Sequence, residues 1–200
     1  MRKLGRIRRQ LAVVACALGF GWLLFGCAGH LGAPAQGNLG EAHAHRLASV
    51  PFFPDDTDQC GPATLASVLT YWGVPSDPMT LKKQIYSARL GGTLPIDLLL
   101  AAQAHGLRAE SYKGSLDNVR SELKAGHPLV AFLNLGYAIF PQGHYVVITG
   151  YDDQRQGVYV HSGLDRDEFL SYQSFLRSWE KTGRWTLRVL PQESQGKAHT

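Results

Sequence analysis

Cys60 and His144 are the two residues whose type and setting could support covalent chemistry. The chain of 200 residues has three cysteines, Cys16, Cys27 and Cys60. Cys60 lies in Asp58-Gln59-Cys60-Gly61-Pro62, just before an apolar run at helical spacing, Ala63–Trp72, that Gly73 stops. Proline suits the first helical position because its missing N–H would have had no partner there. The pattern therefore predicts a helix start at about Pro62 or Ala63, with Cys60 at or just before it. At that position the helix dipole favours a thiolate and lowers the thiol pKa, and Gly61 leaves room for a substrate backbone. The competing reading of a lone cysteine is a small, inert core residue. His144 follows Gly143 and opens a strand that is apolar on both faces, His144–Tyr151. An imidazole at a strand end can take a thiol proton and later return it to a leaving amine. A buried, hydrogen-bonded structural histidine is the alternative. His105 and His127 each precede a turn residue and read as structural.

The elements around these two residues fall into two halves. The first is mostly helical: the run after Cys60, then Thr80–Ala88, then Pro95–His105 with Gly106 as its stop. A short strand at Leu107–Tyr112 follows, then a helix over Leu116–Ala125 between Ser115 and Gly126. The second half is mostly strand: Pro128–Leu135, His144–Tyr151, a polar turn at Asp152–Gly157, and the return strand Val158–Ser162. An amphipathic helix over Phe169–Glu180 and a last strand, Trp185–Leu190, complete the pattern. Helices first and a hairpin-bearing sheet second predict an α+β fold.

The N-terminus reads as an export signal. Arg2, Lys3, Arg6, Arg8 and Arg9 precede an uncharged run from Leu11 to Gly26 that is short for a membrane span; an uncleaved anchor is the alternative. Leu24-Phe25-Gly26-Cys27 resembles a lipobox, the motif of bacterial lipoproteins, with Phe25 bulkier than usual. The resemblance implies a lipidated Cys27 and a protein of the bacterial cell envelope. Ala28 in place of Asp implies the outer membrane, facing the periplasm. The expected organisation is signal peptide 1–26, lipidated cysteine and tether 27–49, folded domain 50–191 and polar tail 192–200. The formal charge of +4 comes from 20 Lys and Arg against 16 Asp and Glu. Five of those cations lie in the signal, so the mature part is near neutral and gives no basic surface for nucleic acid. With Cys16 removed and Cys27 lipidated, Cys60 has no partner for a disulfide. His43 and His45 lie in the expected tether as spacers, and neither a metal nor a cofactor is expected.

Taken together, Cys60-Gly61-Pro62-Ala63, Gly106-Leu107, Gly126-His127-Pro128-Leu129-Val130, Gly143-His144-Tyr145-Val146-Val147 and Gly150-Tyr151-Asp152-Asp153 resemble the bacteriocin-leader (double-glycine) peptidases and their stand-alone relatives. These are papain-like cysteine peptidases. The resemblance spans the domain and implies a helical half packed on an antiparallel sheet, peptide or protein substrates, Cys60 as nucleophile and His144 as general base. Two positions depart from the family. Pro54, Asp55 and Asp56 stand in the stretch where a Gln normally helps form the oxyanion hole, which leaves Gln59 as the nearby amide, together with the backbone N–H of Cys60. Where an acidic or amide residue normally orients the histidine, the chain reads His161-Ser162-Gly163, so Ser162, or Asp165 from the following loop, takes that role. The resemblance thus implies a membrane-anchored cysteine peptidase. The alternatives are a weakly active or inactive peptide-binding module on the same fold, and amidase or transpeptidase chemistry.

Overall fold

The computed structural model describes residues 43–55, 59–137 and 139–192. The expected signal peptide, Cys27 and the polar tail from residue 193 onward lie outside them. In order, the elements are β1 (Ala44–Arg46), α1 (Cys60–Tyr71), α2 (Pro78–Ile85), β2 (Tyr86–Ser87), β3 (Gly92–Thr93), α3 (Pro95–Ala104), β4 (Leu107–Lys113), α4 (Leu116–Lys124), β5 (Leu129–Asn134), β6 (Gly143–Asp152), β7 (Gly157–Ser162), β8 (Asp165–Ser171), α5 (Tyr172–Glu180) and β9 (Trp185–Pro191). The main sheet runs β4-β9-β5-β6-β7-β8 with every pair antiparallel, and β1 adds to β6. This is the expected α+β plan.

Strand alternation sorts the core onto the two sheet faces. Val130, Tyr145, Val147, Leu187 and Val189 point toward α1, α2 and α3. Leu129, Ala131, Leu133, Val146 and Ile148 point toward α4 and α5, where Phe175 and Trp179 are fully buried. Both faces are covered, which is why β5 and β6 read as continuous apolar runs instead of alternating ones. α1 is buried along its length from Gly61 to Leu69, as a helix that is apolar all round must be. It lies between the sheet and its two neighbouring helices.

Four features differ from the sequence reading. The first helix begins at Cys60, not at Pro62 or Ala63: Ala63 N–H donates to Gln59 O at 2.9 Å, which places Pro62 within the first turn. Proline is tolerated there because the first four N–H groups of a helix lack intrahelical partners. The ordered fold also starts before residue 50. β1 pairs Ala44 with Asp152 and Arg46 with Gly150, and Gly150 permits this approach because a Cβ there would sit 2.7 Å from His45 O. Thirdly, residues 169–171 belong to β8, not to the last helix. Phe169 pairs with Tyr159, and Ser171 caps α5 by accepting from Ser174 N–H at 3.2 Å. Finally, the expected second helix ends at Ile85, where the chain turns into the two-residue strands β2 and β3.

Candidate active site

Cys60 opens α1, and its sulfur lies against the backbone N–H groups of Tyr145, Gly61 and Cys60 itself. These donors favour the thiolate, as a helix N-terminus should. Burial nevertheless outweighs them, aided by the negative charge of Asp55, and the thiol pKa is raised. The lowered thiol pKa expected from the dipole alone is therefore not what the site produces. His144, the second residue of β6, is also largely buried, and burial lowers its pKa while the charge of Asp55 opposes that shift. Both shifts favour the neutral thiol and the neutral imidazole, the forms a general-base mechanism requires.

Cys60 and His144 open onto one cleft of about 280 Å³, walled further by Thr93, Leu94, Phe132 and Tyr145. Among the described residues no hydrogen bond joins the thiol to the imidazole; such bonds are often long before substrate arrives. The imidazole is held through Nε2, which lies 3.0 Å from Ser162 Oγ. Where Nε2 is the donor to that hydroxyl, Nδ1 is the nitrogen left to take a proton. The floor is fixed by Tyr145, whose hydroxyl donates to Thr93 O at 3.0 Å and whose ring stacks on Phe132 at 4.5 Å. Gly61 is required by this packing: a Cβ on it would sit 2.8 Å from Thr93 Cβ.

Of the residues singled out from sequence, Cys60, His144 and Ser162 are thus brought to one place. Gln59 caps α1, and its backbone N–H donates to Asp55 Oδ1 at 3.2 Å, but its side chain is not among the walls of the cleft. Asp165 is exposed at the start of β8, opposite Ser162 in the strand register. The sequence reading missed Asp55 as a site residue. It is only 8% exposed, donates its N–H to Gly163 O at 2.9 Å and shares a second, small cavity with Cys60 and Ser162. Its distance of five residues before the cysteine, next to a helix start, was the available signal. His45 lies in β1, and among the described residues no cluster of His, Cys, Asp or Glu is arranged to hold a metal.

A helical half opened by a cysteine and packed on an antiparallel sheet whose strand mouth carries a histidine is the architecture of papain-like cysteine peptidases. The chain belongs to the Peptidase_C39 like family, a family of cysteine peptidases, whose sequence model matches residues 45–187. Among the solved structures that share the fold are the following three. A C39-like peptidase from Bacillus anthracis is 22% identical over 74% of this chain and 98% of that one, with a TM-score of 0.61. A double glycine motif protease from an AMS/PCAT transporter, solved with its leader peptide, is 24% identical over 74% and 95%, with a TM-score of 0.56. Xylellain, a cysteine protease from Xylella fastidiosa, is 11% identical over 76% and 87%, with a TM-score of 0.56. No curated protein matches the chain.

Proposed function

We propose that the protein cleaves peptide bonds by a thiol mechanism with Cys60 as nucleophile, His144 as general base and Ser162 as the residue that orients the imidazole. The observation that carries this reading is the imidazole held by Ser162 Oγ at 3.0 Å on the cleft that also contains Cys60. Nδ1 of His144 takes the thiol proton as sulfur bonds to the substrate carbonyl carbon. The developing oxyanion finds backbone N–H groups at the start of α1, with the Gln59 amide as a further candidate donor. The imidazolium then protonates the leaving amine and the C–N bond breaks, leaving a thioester. Water, deprotonated by His144, displaces the sulfur and releases the acid.

Substrates are peptides or proteins. A neighbour of this fold is solved with a leader peptide, and here an apolar hollow of about 340 Å³ with Phe132, Pro141 and Trp185 in its walls adjoins the cleft through Phe132 and Gly143. The chain acts at the bacterial cell envelope, lipidated at Cys27 and facing the periplasm from the outer membrane. The sequence Leu24-Phe25-Gly26-Cys27 supports this placement. Loss of metabolic palmitate labelling in Cys27→Ala tests the anchor; labelling unchanged in that variant contradicts it.

The departures at Ser162 and Asp55, with the resting thiol protonated, also support a second reading, a peptide-binding module that cuts slowly or not at all. Incubation with a defined peptide library and mass-spectrometric readout separates the two. The peptidase reading predicts cleavage by the wild-type protein and none by Cys60→Ala. Peptides retained intact by both forms would establish the binding module.

A further inference from the structure

Among the described residues, one charge acts on both Cys60 and His144: that of Asp55. Its position is well defined. The Asp55 N–H is bound by Gly163 O at 2.9 Å, and Oδ1 accepts from Gln59 N–H at 3.2 Å. Asp55, Cys60, His161, Ser162 and Gly163 wall a cavity of about 10 Å³, room for roughly one water molecule.

The hydrogen-bond inventory of Ser162 gives this cavity a role. For Nδ1 of His144 to accept the thiol proton, the neutral ring must carry its hydrogen on Nε2. That hydrogen then points at Ser162 Oγ, 3.0 Å away. A hydroxyl that accepts on one side has its single proton to donate elsewhere, and a carboxylate stands in the cavity beside it. We propose that Asp55 is a positioning residue which accepts a hydrogen bond from the Ser162 hydroxyl through one water in that cavity, and thereby fixes His144 as the Nε2–H tautomer. This replaces the missing acidic member of the site with a carboxylate from the segment before α1, instead of one from the sheet. The proposal rests on the reading of His144 as the base. No proton leaves the imidazole along this path. Only the hydroxyl is oriented, and the same arrangement stabilises the ring once Nδ1 has taken the thiol proton.

The other groups at this end of the site are already committed. His161 donates from Nε2 to Val50 O at 3.2 Å and accepts at Nδ1 from Asp167 N–H at 3.3 Å. Asp167 is ion-paired with Arg46 at 2.9 Å. The Tyr145 hydroxyl is spent on Thr93 O, and Cys60 carries the proton to be transferred.

The test is the ring ¹⁵N spectrum of His144 in the full-length protein, assigned among the eight histidines by difference with His144→Gln. At about pH 8, where an ordinary imidazole is neutral, the proposal predicts the Nε2–H form in the wild type. In Asp55→Asn, which keeps an acceptor for Gln59 N–H, it predicts that most of the ring moves to Nδ1–H and that the His144 titration midpoint falls. In Ser162→Ala, adding Asp55→Asn should change the tautomer no further. An Nδ1–H ring in the wild type, a tautomer indifferent to Asp55→Asn, or an equal response with and without Ser162 overturns the proposal. The wild-type spectrum decides even if the variant does not fold. Failure of the base reading is distinguishable: there, His144→Gln leaves the rate of Cys60 alkylation unchanged.

Discussion

Cys60 is pulled in two directions at once. The start of α1 and the Tyr145 N–H favour its thiolate, and burial together with Asp55 favours the thiol and prevails. Alkylation by iodoacetamide should therefore keep rising with pH beyond the ordinary thiol midpoint of about 8.5. A rate that has already levelled off near pH 6 would show a preformed thiolate–imidazolium pair and contradict this balance. Ser162→Ala should slow peptide turnover about tenfold, the worth of one hydrogen bond to a charged group, ~1.5 kcal/mol; an unchanged rate would remove Ser162 from the site. Cys60 and His144 were legible in the sequence because each sits at a signalled boundary, a Gly-Pro helix start and a Gly-opened apolar strand. Ser162, the last residue of the return strand, was legible only through the family resemblance. Asp55 was not, because its bond to Gly163, which places it at the site, is made only by tertiary folding, and its local bond to Gln59, four residues on, does not by itself mark a site.

The site depends on how α1 meets β3 and β6. Gly61 is the contact point, and a methyl group there must displace Thr93, whose carbonyl anchors Tyr145. Gly61→Ala should cost about 1–3 kcal/mol, the usual penalty for overpacking, seen as a lower denaturation midpoint and slower Cys60 labelling. A variant with wild-type stability and labelling would show that the contact gives way freely. Long apolar or capped elements such as α4, β5 and β6 were read correctly, since period, caps and stops agree, and α1 was found but with its start placed after Cys60. The short strands β1, β2 and β3 were not. Strands of two or three residues carry no periodicity and exist only because a partner is present. β8, with its polar Asp165-Arg166-Asp167-Glu168 start, has no apolar alternation to reveal it. Its last residues merged with the amphipathic pattern of α5 until the Ser171 cap separated them.

At the scale of the whole molecule, one buried and one half-buried histidine couple stability to pH. Burial lowers the pKa of both His144 and His161, so the unfolded chain binds protons that the folded one resists, and stability falls as pH drops below about 6.5. His161 also ties the segment leading to Asp55 onto the sheet through Val50 O. Thermal melts between roughly pH 7.5 and 5 should show a falling midpoint, less steep in His161→Gln, which cannot take up the proton. A slope unaffected by that change would assign the acid sensitivity elsewhere. The burial of β5 and β6 was legible from their continuous apolar runs, whereas the covering of the second sheet face by α4 and α5 and the pairing of β1 with β6 were not. The most direct measurement of the account is intact-mass labelling by a peptidyl vinyl sulfone at neutral pH. It predicts a single adduct on Cys60 in the wild type, none in Cys60→Ala, and a rate lower by about 10²–10⁴ in His144→Ala, the usual worth of a general base. Labelling of His144→Ala at the wild-type rate would contradict it.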